Sequence, residues 1–247
     1  MARSSSGESV IERVIRVLEA FTPEDGVLSV GEVSRRARLP AATGSRLVAD
    51  LVSHGLLNRV DGGVRVGTRL WELASRAAPT MRLRELAMPV LEELLRTVGH
   101  HAQLGLLDGD EVLFVERLSA EEAVVNYTRI AARLPLHASS SGLVLLAHAP
   151  TPVQDRILST PLPRFTPFTI TEPTQLRRRL SEVRRDGFVV CPGYLHTAAT
   201  GIAAPVRDRT GAVVAALSVI VPNDTVASRR IGVVTEAARR LERRLPG

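Results

Sequence analysis

Residues 28–66 read LSVGEVSRRARLPAATGSRLVADLVSHGLLNRVDGGVRV. Ser29 stands where a helix N-cap is needed, and Glu32 three residues on completes the pattern of a capping box. The helix that follows buries Val30, Val33 and Ala37, and Leu39-Pro40 turns the chain. A second helix runs from about Ala41 to His54 with Leu47, Val48 and Leu51 inward, and Gly55 stops it. Two short strands around Asp61-Gly62-Gly63 complete a wing. Helix, turn, helix and two-stranded wing make a module that reads double-stranded DNA. The second helix enters the major groove and the first crosses the backbone.

The residue types fit that geometry. Ala41, Ala42, Thr43, Gly44 and Ser45 open the second helix with small side chains, with Arg46 next. Thr43 and Ser45 can bond phosphate or a base edge, and Arg46 can reach guanine or phosphate. Arg35 and Arg36 fall where the first helix meets phosphates, and Arg59 and Arg65 belong to the wing. Residues 28–66 hold six arginines against Glu32, Asp50 and Asp61, a modest excess.

The chain has 247 residues and a net charge of +6, carried entirely by arginine, since lysine is absent. Hydrophobic residues make up 45%, enough for a packed core, whereas aromatics make up 3%, too few for a base-stacking platform. Cys191 is the sole cysteine, so no intrachain disulfide and no cysteine-rich zinc site can form. The N-terminus lacks the apolar core of a signal peptide, and the longest apolar stretch, 212–222, is about half of the ~20 residues that span a bilayer. These features predict a cytoplasmic protein without a membrane partner.

Ser9 can cap a helix to about Phe21. Thr68–Ala78 reads as helix, Pro79 as a break, and Met81–Val98 as a second amphipathic helix. From His101 the period becomes two. Strands are predicted near 101–106, 112–118, 124–129, 187–191, 199–206 and 212–221, with helices at 139–149, 152–159, 173–186 and 224–245. The fold class is α+β: a winged helix-turn-helix (1–67), a helical linker (68–80) and an α/β domain with a mainly antiparallel sheet (81–247). Trp71, in the linker, is a candidate dimer anchor.

Neither metal nor catalysis is expected. His100, His101, His137, His148 and His196 lack the spacing of a zinc motif, and Ser139-Ser140-Ser141-Gly142 lacks the G-x-S-x-G elbow. No cofactor is implied.

The module resembles the N-terminal domain of the IclR family of bacterial transcription regulators, with its Arg-Leu pair at Arg46-Leu47. LPLHASSSGLVLLA (134–147), RDGFVV (185–190) and GIAAPVRDRTGAVVAALSV (201–219) resemble further family segments. The resemblance covers nearly the whole chain. It implies a GAF-like sensor domain, a dimer or a dimer of dimers, and a small-molecule effector, often a carboxylate or aromatic acid. Carried over, the effector site falls at Ser140, Ser141, Cys191, Gly201 and Ser218, with Tyr127, Tyr194 and His196 adding contacts. Leu143 stands where the family commonly has lysine, and Ile220 is apolar where polar pocket residues occur, which predicts a more apolar pocket. A constitutive DNA binder whose second domain only oligomerises, and a ligand-processing enzyme, stand as alternatives.

Overall fold

The computed structural model describes residues 8–22, 25–76, 78–126, 128 and 130–246. The chain forms two compact units, 1–78 and 79–247, which meet inside the segment read as a linker.

In the first unit, α1 (Val10–Glu19) precedes α2 (Val30–Arg36) and α3 (Ala41–Ser53), and β1 (Leu57–Val60) pairs antiparallel with β2 (Gly63–Val66). Val17, Leu28, Val33, Ala37, Val48, Leu51, Leu57 and Val64 form one core. Leu28 adds a bridge to the wing, its N–H donating to the Val64 carbonyl at 2.9 Å and its carbonyl accepting from Val64 N–H at 2.8 Å.

The capping differs from the sequence expectation. Ser9 caps α1 with a complete box, since its Oγ accepts from Glu12 N–H and its own N–H donates to the Glu12 carboxylate. At α2 only half of the box forms. Ser29 Oγ accepts from Glu32 N–H at 3.1 Å, but the Glu32 carboxylate turns away to Arg35 and Arg36, because two guanidiniums outbid one amide. The end of α2 is a Schellman turn: Leu39 N–H donates to the Ser34 carbonyl and Arg38 N–H to that of Arg35. Its left-handed position belongs to Arg38, at φ 54°.

Gly44 is not part of the exposed start of α3, as expected from the sequence, but is buried against α2. A Cβ there would lie 2.1 Å from Ser34 Oγ and 2.7 Å from Ser34 Cβ. That contact lets the two helices cross closely.

The helical linker divides into α4 (Thr68–Ala74) and α5 (Ala78–Val98). Pro79 falls in the first turn of α5 instead of ending a helix, because its missing N–H is not needed there.

The second unit is built on a six-stranded antiparallel sheet. Its strands are β3 (His101–Asp108), β4 (Glu111–Ser119), β5 (Arg133–Pro135), β6 (Val189–Pro192), β7 (Ala199–Arg207) and β8 (Val213–Pro222), in the order β5-β4-β3-β8-β7-β6. The strand expected at 124–129 is not there: Val124–Asn126 is irregular, Tyr127 and Arg129 lie outside the described residues, and Arg133–Pro135 pairs with β4 instead. One sheet face packs against α5 and α9 (Ile231–Glu242), through Leu91, Leu104, Ile202, Leu217 and Leu241. The other packs against α6 (Ser140–His148), α7 (Thr151–Ser159) and α8 (Pro173–Asp186), through Phe114, Leu143, Leu146, Leu176 and Leu180. The C-terminal helix is shorter than read, since Ala227–Arg230 is a 3-10 turn.

The register of β4 shifts once. Gly105 pairs with Phe114 and Leu104 with Glu116, leaving Val115 as the extra residue of a bulge. Phe114 and Glu116, which strict alternation would place on one face, therefore point to opposite faces. Glu116 turns towards α5, where Arg84 meets its carboxylate at 2.6 Å.

Gly44→Ala is expected to overpack the α2–α3 contact by about 1–3 kcal/mol. Circular dichroism melts should show 1–78 unfolding at lower temperature, with Ser34→Gly recovering part of the loss.

Candidate DNA-reading surface and ligand cavity

Seven residues are candidates for DNA contact, and the structure divides them. Ser45 and Arg46 are exposed on α3, and Thr43 is half-buried beside them. Arg35 is well exposed but chelates Glu32, with contacts of 2.6 and 2.9 Å. Arg36 is held inside the module: it donates to the Ala20 carbonyl at 3.0 Å, to Asp25 at 2.6 Å and to Glu32 at 2.7 Å. It joins the end of α1, the following loop and α2. These guanidiniums hold the Asp25 and Glu32 carboxyls down to about 2. Arg59 pairs across the wing with Val64, and Arg65 with Asn58, so the two arginines sit on opposite faces of the ribbon.

The effector candidates lie in the second unit. A concavity of about 470 Å³, counted out to its open mouth, lies between the start of α6 and the sheet. Ser140, Ser141, Cys191 and Gly201 line it, with Phe114, Leu134, Leu195 and Ile220 as apolar wall. Ser139 caps α6, its Oγ accepting from Gly142 N–H at 3.0 Å. Gly201 makes room for this helix, for a Cβ there would lie 2.7 Å from Ser140 Oγ.

Ser218 sits one layer behind the lining. Ser141 Oγ donates to Ser218 Oγ at 2.8 Å, and Ser218 Oγ donates to Gln103 Oε1 at 3.4 Å. Gln103 Nε2 donates to Thr128 Oγ1. Thr128 donates twice to Asn126 Oδ1, from its N–H at 3.0 Å and its hydroxyl at 2.8 Å. The chain of donors ends at Asn126 Nδ2, which is buried with no partner among the described residues. Gln103, Thr128 and Asn126 line the cavity and escaped the sequence reading. A polar Gln103 inside an otherwise apolar strand was the available signal.

One aromatic candidate is not at the cavity. Tyr194 packs against the cluster of α6 and α8, with burial pushing its phenol up to about 12. Tyr127 lies outside the described residues.

The lining suits binding more than reaction. Among the described residues it contains no Asp, Glu or Arg, and burial pushes the Cys191 thiol up to about 12, far from a thiolate nucleophile. No group of three potential metal ligands occurs among the described residues. His101 bonds Ser119 Oγ and the Val124 carbonyl, and His137 the Pro163 carbonyl, with both pKa values lowered by burial. No described helix is long and apolar enough to cross a membrane.

A helix-turn-helix reader carried on one chain with a separate domain that holds a hydrogen-bonding cavity, lined by His196 but by no described Asp, Glu or Arg, defines a ligand-responsive DNA-binding regulator. Residues 10–61 match the IclR helix-turn-helix domain, and residues 75–245 match the bacterial transcriptional regulator IclR C-terminal domain. The protein belongs to the IclR family of bacterial transcriptional regulators. It is similar to the regulator BhcR of Paracoccus denitrificans, 28% identical over 96% of this chain and 85% of that one. The repressor AllR of Klebsiella pneumoniae is 27% identical over 98% of this chain and 90% of its own length. A crystal structure of an IclR homolog from Microbacterium hydrocarbonoxydans, complexed with 4-hydroxybenzoate, is 47% identical with TM-score 0.90, covering 96% of this chain and 99% of that one. These relatives are regulators, not enzymes.

The Arg36 and Arg46 variants should separate. Because the folded-state values of Asp25 and Glu32 lie below the ordinary 3.8 and 4.5, the stability they contribute is complete above about pH 4.5 and is lost as pH falls towards 2. Arg36→Gln should lower the melting temperature of 1–78 at neutral pH and flatten its fall over that acid range. Arg46→Ala should leave the melt unchanged and weaken operator binding in a gel shift by about tenfold.

Proposed function

We propose that the protein is a cytoplasmic homodimeric repressor that is released from its operator by a small aromatic carboxylic acid of the 4-hydroxybenzoate kind. The observation that carries the proposal is the cavity: an apolar wall of Phe114, Leu134, Leu195 and Ile220 faces hydrogen-bond donors and the orphan amide of Asn126. A flat ring suits the wall. A carboxylate suits the Ser140 hydroxyl, the first amides of α6 and Asn126 Nδ2. The ligand in the crystal of the 47%-identical homolog is of this class, and AllR is named as a repressor.

Dimerisation follows from the reader. One head presents two alanines and few base-reading groups, so two heads on a repeated site supply the affinity. Trp71, 71% exposed on α4, and the exposed Ile11 and Ile15 on α1 supply apolar surface for a second copy.

The bulge in β4 offers a route from ligand to reader. Phe114 faces the cavity, and Glu116, two residues on, is held by Arg84 on the helix that begins at the boundary with the DNA-binding unit. A ligand that displaces Phe114 reorients Glu116 and with it the start of α5.

Calorimetric titration with 4-hydroxybenzoate tests the reading. The wild type should bind it and bind 4-hydroxybenzamide more weakly, and Asn126→Ala should weaken the acid by about tenfold, the worth of one charge-assisted hydrogen bond. Equal affinity for acid and amide would remove the carboxylate assignment. Glu116→Gln should keep acid affinity within about threefold yet blunt acid-induced operator release in a gel shift, as coupling is a difference between states and not binding itself.

A further inference from the structure

Arg38 occupies the left-handed position of the Schellman turn that ends α2, at φ 54°. Glycine is the residue that takes this conformation without a steric penalty, since an L side chain sets its Cβ against the neighbouring carbonyl. The backbone bonds that shape the turn, Leu39 N–H to the Ser34 carbonyl at 2.9 Å and Arg38 N–H to the Arg35 carbonyl at 3.1 Å, need no side chain at all. The strain therefore comes from the arginine, and the turn gains nothing from it.

The side chain finds nothing in the protein to offset that penalty. It is exposed and makes no hydrogen bond or ion pair with any described residue. Its neighbours differ in this respect: Arg35 is taken by Glu32, and Arg36 by Asp25, Glu32 and the Ala20 carbonyl. The Glu32 and Asp25 carboxylates are thus already committed. Arg38 lies between the helix that crosses the DNA backbone and the helix that enters the groove, at the point where a helix-turn-helix runs beside phosphates.

We propose that Arg38 is a DNA phosphate contact, one that supplies affinity without reading bases. It takes over the role that spacing alone assigned to Arg36. The inference rests on the helix-turn-helix binding DNA and not on the proposed effector, so a failed 4-hydroxybenzoate titration would leave it standing.

The test uses the full-length protein and a duplex that the wild type itself selects from a random pool. Operator affinity is measured against salt for Arg38→Gly, Arg38→Gln and Arg38→Lys, with a melt for each. Arg38→Gly should melt at or above the wild-type temperature while binding about 3- to 10-fold more weakly, with a salt slope shallower by about 0.9 per head. Arg38→Gln should lose the same slope, which separates charge from backbone relief, and Arg38→Lys should keep it. An unchanged slope in both the Gly and Gln variants would overturn the proposal. So would a clear drop in the Arg38→Gly melting temperature, because the arginine would then be stabilising the fold, for instance as a cation at the end of α2.

Discussion

The six-stranded sheet of the second unit is covered by helices on both faces, and that double burial governs what its residues can do. A buried polar side chain without a partner costs about 1–3 kcal/mol, so polar groups on such a sheet must be bonded in the fold or be left for a ligand. On the α5–α9 face the sheet is almost wholly aliphatic, and its buried acid Glu116 is paired with Arg84. On the other face Gln103, Ser141, Ser218 and Thr128 are bonded to one another in one direction, so each hydroxyl and amide is oriented by the next. The last donor of this chain, Asn126 Nδ2, is left over, and it is left over at the cavity.

Charge in the DNA-binding unit obeys a similar rule of allocation. With arginine as its sole basic side chain, the module uses guanidiniums both as staples and as contacts. Arg36 is a staple because it is within reach of Asp25, Glu32 and a carbonyl at once. Arg46 makes no ion pair with a described residue, Asp50 four residues on included, and remains available. An acid three or four residues away on a helix can move an arginine from one group to the other, as Glu32 does for Arg35 and Arg36.

The order of elements and both domains could be read from residues, since helix and strand periods, the wing hairpin and the family segments are local patterns. The apolar Leu143 and Ile220 were likewise visible, and both are in or beside the cavity layer. Failures came where one local signal met a non-local competitor. Ser29 and Glu32 spell a capping box, yet Arg36 captures the carboxylate. Gly44 reads as a small groove-facing residue, yet a neighbouring helix needs its missing Cβ. The bulge at Val115 leaves no mark in the apolar alternation of β4, so neither the turn of Glu116 towards Arg84 nor the separate facing of Phe114 could be foreseen. Asn126 and Thr128 fell in a segment read as strand, where irregular chain instead carries them to the cavity.

Magnitudes favour a small ligand-dependent shift over a large rearrangement. A tenfold change in operator affinity requires about 1.4 kcal/mol of difference between the ligand's affinities for the two states. One hydrogen bond to a charged acceptor, formed by Asn126 in one state and absent in the other, is worth about 1.5–3 kcal/mol and suffices. The Glu116–Arg84 pair suits transmission for a related reason: the Glu116 carboxylate is buried, and leaving it unpaired is far more costly than moving it with its partner. In the proposed route a displacement of β4 would therefore be followed by Arg84 and the helix that carries it. In the proposed dimer the reader need not be remodelled, because two weakly binding heads would lose most of their joint affinity once their spacing departed from that of the paired sites on the DNA.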